Sequence, residues 1–481
     1  MKTKIPHLIL AGMLGTSITS LAATVVWDGS GGDTDWSAAP DTTSWSGGTY
    51  NNGDDAEFNG AGSTVNITGI VTPGSITVAD GGTNYSFTDG TGEIQGTGGL
   101  TKTGSGRLTL DTGVANYTGD TNINEGILRI NNNGGAEWDL GAVFINNSST
   151  LELTSNTLLR ANDSITFGSS GGGSIVNLAT TAMRNNTITT TGGAKNTISG
   201  GGINGASAGR SVIFDVAVGT DPDGIDLEVS SLMANNGITK DGAGTLALTA
   251  ASNGMGGDLI VNAGTVLVEG AYTFGVGGVT VASGATLGGS GSITVNDPAT
   301  YNVTVNGRLS PGNSPGTMTI TSDVVWNNGG SYLWEINASD IDGGGTIGTD
   351  PGWDWIDITG TLDLTNLSAG GFTIDIDSLA GAVAGDALGF DTFLEDGLDP
   401  GDHDYSFIIA SASDGITGFN ANLFTLDDSG FSNFEPDFGW YWDIVQIDND
   451  LVLQAYAVPE PSSTALLGLG GLALALRRRR A

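Results

Sequence analysis

Two stretches of this chain align without a gap at an offset of 138 residues. One is Leu100–Ile130, "LTKTGSGRLTLDTGVANYTGDTNINEGILRI"; the other is Ile238–Val268, "ITKDGAGTLALTAASNGMGGDLIVNAGTVLV". Lys102/Lys240, Gly104/Gly242, Gly106/Gly244, Leu108/Leu246, Leu110/Leu248, Gly119/Gly257, Asp120/Asp258, Asn124/Asn262 and Gly126/Gly264 coincide. Repetition on this scale signals stacked supersecondary units. Within a unit, Leu108 and Leu110 alternate with polar neighbours, so one face of a strand is buried. Gly104 and Gly106 precede it, as expected of a tight turn. A second short strand turns Ile123, or Leu259 and Val261, inward. After Gly126 or Gly264 a third carries Leu128 and Ile130, or Val266 and Val268. Three short alternating strands with frequent turns fit a coil of a β-helix, whose inward residues pack against the coils above and below.

The rest of the chain agrees. "GGVTVASGATLGGSGSITV" (277–295), residues 302–326 and residues 356–376 alternate in the same way. Glycine makes up 80 of 481 residues against 12 prolines, with no Gly-X-Y period, which excludes collagen. Hydrophobic residues reach 38%, enough for a core. There is no cysteine, so neither disulfides nor thiolate metal sites contribute. The expected fold is all-β: a right-handed parallel β-helix, or β-solenoid, with β-rich caps and a C-terminal hydrophobic helix. The expected divisions are a signal peptide (1–22), an N-terminal β cap (23–97), a solenoid body (98–387), a C-terminal β cap (388–457) and a sorting tail (458–481).

Both ends read as addresses. Lys2 and Lys4 precede an apolar run that closes on Ser20-Leu21-Ala22, the layout of a secretory signal peptide cut by signal peptidase between Ala22 and Ala23. At the other end, Thr464–Leu476 is apolar and precedes Arg477, Arg478, Arg479 and Arg480. As a helix this run covers ~20 Å, short of a ~30 Å hydrocarbon layer. It suits transient insertion, with the arginines held on the cytoplasmic side.

Val458-Pro459-Glu460-Pro461, the apolar run and the arginine cluster together resemble the PEP-CTERM sorting signal. That resemblance implies processing by an exosortase near the Pro-Glu-Pro triplet, a Gram-negative-type envelope, and delivery to the cell surface or extracellular matrix. The two repeat copies resemble the autotransporter-associated β-strand repeat, and Leu309–Ile320 is similar to the late part of autotransporter passenger stems. The chain departs from true autotransporters in lacking a C-terminal series of amphipathic strands for a translocator barrel.

Chemistry-bearing motifs are few. The formal net charge of −37 argues against nucleic acid and anionic membranes as partners. Beyond the signal peptide there is a single histidine, His403, and three lysines, Lys102, Lys195 and Lys240. Two of these lysines sit at equivalent repeat positions, which reads as structural, and no carboxylate pair stands out. The expectation is therefore a non-enzymatic surface or matrix protein with a structural or adhesive role. Exopolysaccharide or other surface proteins are its candidate partners. The alternative is a carbohydrate-active β-helix enzyme or a glycan-binding module; basic and acidic side chains gathered in one groove would favour the enzyme, and a smooth polar exterior would favour a stalk. No cofactor is expected beyond calcium, for which Asp396, Asp399, Asp402 and Asp404, and secondarily Asp221, Asp223 and Asp226, are candidate ligands. Trp27, Trp36 and Trp45 are candidates for stacking on sugars, weighed against a role in covering the first coil.

Overall fold

A computed structural model describes residues 22–459 except 29–33, 38–39, 43, 112, 132–136, 139, 155–157, 160–163, 184, 206–209, 313, 340–342, 391–403 and 434–437. The chain forms a β-solenoid. Each regular coil contributes three short strands to three faces. In one coil these are Leu259–Val261, Thr265–Val268 and Ala271–Phe274; in the next, Val279–Val281, Thr286–Gly289 and Ser292–Val295. All three pairs are parallel: Leu259↔Val279, Val266↔Leu287 and Tyr272↔Ile293.

The two repeats occupy equivalent places in the stack. Leu100↔Thr121 and Lys102↔Ile123 in the first copy correspond to Ile238↔Leu259 and Lys240↔Val261 in the second. Leu108↔Leu128 and Leu110↔Ile130 correspond to Leu246↔Val266 and Leu248↔Val268. Leu108, Leu110, Leu246 and Leu248 are buried in the common core. A one-residue slip would turn every one of them outward, so their burial fixes the register.

The repeat glycines serve two different needs. Gly126 and Gly264 have left-handed φ of 72° and 65°, a turn that side chains resist. Gly106 does not have a positive φ; it is small because a Cβ there would collide with the carbonyl of Thr83 in the preceding coil. Tight inter-coil packing, and not only turn geometry, sets the Gly-x-Gly pattern.

The parallel ladder runs through the expected boundary at 97/98 without a break. Thr24–Trp27 pairs in parallel with Asp55–Phe58, that strand with Ser75–Val78, and that with Leu100–Lys102. Among the described residues, the parallel ladder is thus already present at Thr24–Trp27. The capping feature at this end is an antiparallel pairing of Thr24–Trp27 with Trp45–Ser46, filled by aromatic rings. Trp36 lies 5.6 Å from Trp45 and 5.3 Å from Tyr50 between ring centroids, and Trp27 lies 5.2 Å from Trp45.

At the far end the pattern changes. Asp404–Ala412 pairs in parallel with Trp355–Thr359 below it, but antiparallel with Asp450–Pro459. Phe438–Ile447 and Asp450–Pro459 then close the stack as a hairpin. Trp442 and Ile444 face inward and Tyr441 outward, the alternation of a strand with one face on a core. The expected C-terminal helix lies outside the described residues.

Candidate functional site

Among the described residues, the groups considered for function are the C-terminal processing end, the buried charges and a polar groove. The final strand, Asp450–Pro459, contains the first two residues of the Val458-Pro459-Glu460-Pro461 motif. Val458 is held against Gly439 and Pro459 against Phe438. The folded body therefore reaches the processing motif with no intervening linker. Glu460, Pro461 and Arg477–Arg480 lie outside the described residues.

Family comparisons match the C-terminal end and the repeats. The Passenger-associated-transport-repeat description matches 100–130 and 238–268, and the PEP-CTERM protein-sorting motif matches 457–480. The chain carries a PEP-CTERM sorting signal. It is an exosortase-sorted β-solenoid with passenger-associated repeats. Over 107 residues, 22% of its length, the chain is 29% identical to a protein named "Extracellular serine protease" from Serratia marcescens. That stretch spans only 9% of the Serratia protein.

The three lysines are all engaged by the scaffold. Lys102 Nζ lies 2.7 Å from Asp80 Oδ2, and both side chains are fully buried. It also donates to the Gly104 carbonyl, while Asp80 Oδ1 accepts from the Gly106 N–H at 2.7 Å. Lys240, its equivalent, instead donates to the carbonyls of Asp241 (2.8 Å), Gly242 (2.8 Å) and Ala263 (3.1 Å). Burial pushes its ammonium down to about 8, against the opposing pull of Asp215, Asp241 and Asp226. Lys195 bridges Asp223 at 2.6 Å and Glu228 at 3.6 Å. The sequence marked Lys102 and Lys240 as structural, but not Asp80, which lies outside the repeat.

Trp27, Trp36 and Trp45 are 3%, 0% and 6% exposed. Their faces are taken up by one another and by Phe58, so sugar stacking is not open to them; they cover the first coil. The "DPDGID" carboxylates are likewise committed to protein donors. Asp226 accepts from the Gly219 and Thr245 N–H groups, Asp221 from that of Lys195, and Asp223 from the Lys195 ammonium. Asp396, Asp399, Asp402 and His403 lie outside the described residues, and Asp404 opens the strand Asp404–Ala412.

A second set of buried acids was not visible in the sequence. Asp354 is fully buried, and its two oxygens accept from the N–H groups of Gly316 (2.7 Å) and Glu335 (3.1 Å). Glu335 accepts the Ser314 hydroxyl at 2.5 Å. Burial raises both carboxyls, Asp354 well above the usual carboxylate range, and Glu335 adds to the effect on Asp354. The bonds of Asp354 tie the turn at Gly316 to the strand Ser331–Ile336, a scaffold role.

The groove lies on the second face of the later coils. Its floor is a row of outward residues brought into register by parallel pairing, Thr286↔Arg308, Arg308↔Ser331 and Ser331↔Thr373, and the coil after Thr373 contributes Asp427. Two adjoining cavities of about 360 and 670 Å³ meet at Arg308, Gly329 and Ser331. Arg308 Nη2 donates to Asp375 Oδ2 at 2.7 Å, and Nε donates to Ser331 Oγ at 3.3 Å. Asp375 is in register with Asp427 on the next coil. A basic side chain and two carboxylates thus share one groove.

Proposed function

We propose that the protein is a structural or adhesive component of the cell surface or extracellular matrix, placed there by exosortase processing at Pro459-Glu460-Pro461. The observation that carries this reading is the continuity of the last strand with the sorting motif. A cut at the triplet would free a closed solenoid, its hairpin intact, from the apolar run and the arginines. The parallel stack suits a stalk, because neighbouring coils satisfy one another's backbone groups through the parallel ladders. The engagement of all three lysines by scaffold partners agrees with a non-enzymatic role.

The test is to replace Arg477–Arg480 by serine. Moving four guanidinium groups into hydrocarbon costs a few kcal/mol each, on the order of 2.5–3.5 at a membrane helix centre. Their loss should uncouple sorting, with unprocessed protein released or misplaced. Unchanged surface display and processing would remove the basis of the sorting reading.

A second reading, that the body is a carbohydrate-active enzyme or a glycan-binding module, is favoured by the Arg308 groove, where a basic side chain and two carboxylates come together. Here the Serratia similarity adds nothing, since it covers so little of that protein.

A further inference from the structure

We infer that the groove through Arg308 binds an extended, neutral polysaccharide chain lying along the solenoid axis. This deepens the glycan-binding reading above and rests on it, but not on how the protein is sorted. The geometry argues first for the shape of the ligand. Thr286, Arg308, Ser331 and Thr373 follow one another at the spacing of parallel strands, and Asp427 lines the groove one coil further on. Four steps of ~4.8 Å make a track of ~19 Å. One step is close to the advance of one pyranose ring along an extended chain, so the track holds about four sugars.

The rim argues for a chain that approaches closely. Gly284 and Gly329 border the two cavities, and a Cβ at either would meet open space. The walls there are bare backbone, and a ligand reaches the floor unobstructed.

Charge and hydrogen-bonding groups argue for the class. The floor offers hydroxyls that both donate and accept, a guanidinium that only donates, and carboxylates that only accept. A run of vicinal hydroxyls matches that mixture. An apolar ligand does not, because the lining holds no aromatic ring. Two carboxylates, Asp375 and Asp427, share the groove with one arginine, and that arginine is already paired with Asp375. The remaining negative charge disfavours uronates and other anionic chains and leaves neutral ones.

The test uses the processed body, residues 23–459, with neutral di-, tri-, tetra- and hexasaccharides of gluco, xylo and manno series and a tetra-uronate, titrated calorimetrically. At least one neutral series should bind, with affinity rising to the tetrasaccharide and then levelling. Asp427→Ala and Arg308→Ala should each weaken it about tenfold or more. Thr373→Trp, which fills the floor without breaking the ion pair, should abolish binding while the melting temperature stays at the parent value. Absence of binding by every neutral series, stronger binding of the uronate, or full affinity in Thr373→Trp would each overturn the inference. None of these outcomes bears on arginine-dependent sorting, so the two readings fail separately.

Discussion

The backbone N–H of Ala23 donates to Asp54 Oδ1 at 3.0 Å, and Asp54 is only 7% exposed. Ala23 is also the residue that signal peptidase is expected to leave at the N-terminus. Cleavage there would replace a neutral amide with an ammonium at the same contact. A hydrogen bond to a charged group contributes about 1.5–3 kcal/mol, against about 0.5–1.5 for a neutral one. Protein beginning at Ala23 should therefore melt higher than protein carrying a short extension before it. The advantage should fade above the α-amino pKa of about 8. Asp54→Asn should remove most of it. Equal melting curves for both forms at neutral pH would show that the contact gains nothing from maturation.

Lys102 and Lys195 separate buried from exposed ion pairs. Lys102→Met leaves the Asp80 carboxylate buried without its cation and should cost about 3–5 kcal/mol. Lys195→Met breaks a pair whose side chains are 26% and 43% exposed, and should cost less than about 1 kcal/mol. Urea unfolding followed by circular dichroism measures both. The reverse order would contradict the burial argument.

Much of the fold was legible because burial has a period. The alternation around Leu108 and Leu246 identifies the inward face of a strand wherever one side meets a core. The repeat at an offset of 138 marks where coils stack in the same register. What escaped the sequence depends on separations that no period records. Asp80 meets Lys102 because Val78 pairs with Lys102 across one coil, and the repeat begins only after Asp80. The Arg308 groove draws Ser331 and Thr373 together across an excursion of the chain between them. The tryptophans at 27, 36 and 45 had the composition of a sugar platform. Which way they pointed was settled by their position on the first coil, where exposed ends of a core need covering. The spacing of Gly104 and Gly106 signalled tight geometry, but the tightness lies between coils.

Lys240 makes a stability prediction at alkaline pH. Its folded value of about 8 lies below the ~10.4 of an unfolded lysine. Between these values the unfolded chain holds a proton that the folded chain has released. The contribution of Lys240 to stability should thus rise as pH increases from about 8 to about 10. Lys240→Met should flatten that rise in a pH series of chemical denaturation. It should also lower stability below pH ~8 by leaving three carbonyls without their donor. An identical slope in parent and variant would be the contrary result.

The acids at Glu335 and Asp354 act with the opposite slope. Their folded values are raised, so their stabilising share is present when they are protonated and is lost as pH rises through the folded values. Glu335→Gln keeps an oxygen to accept the Ser314 hydroxyl and removes one titration. It should raise the melting temperature at neutral pH and change little in acid. A loss at neutral pH would mean that the carboxylate of Glu335 is needed in its charged form.

The most direct test of the account is the mass of the protein recovered from the cell surface. If the solenoid is a sorted surface component, mature chains begin at Ala23 and end within Val458–Pro461. They lack the apolar run and Arg477–Arg480, and the final hairpin Phe438–Ile447/Asp450–Pro459 is kept whole. A surface population whose terminal peptide still carries the four arginines would contradict it, since the tail would then be a permanent anchor and not a processed signal.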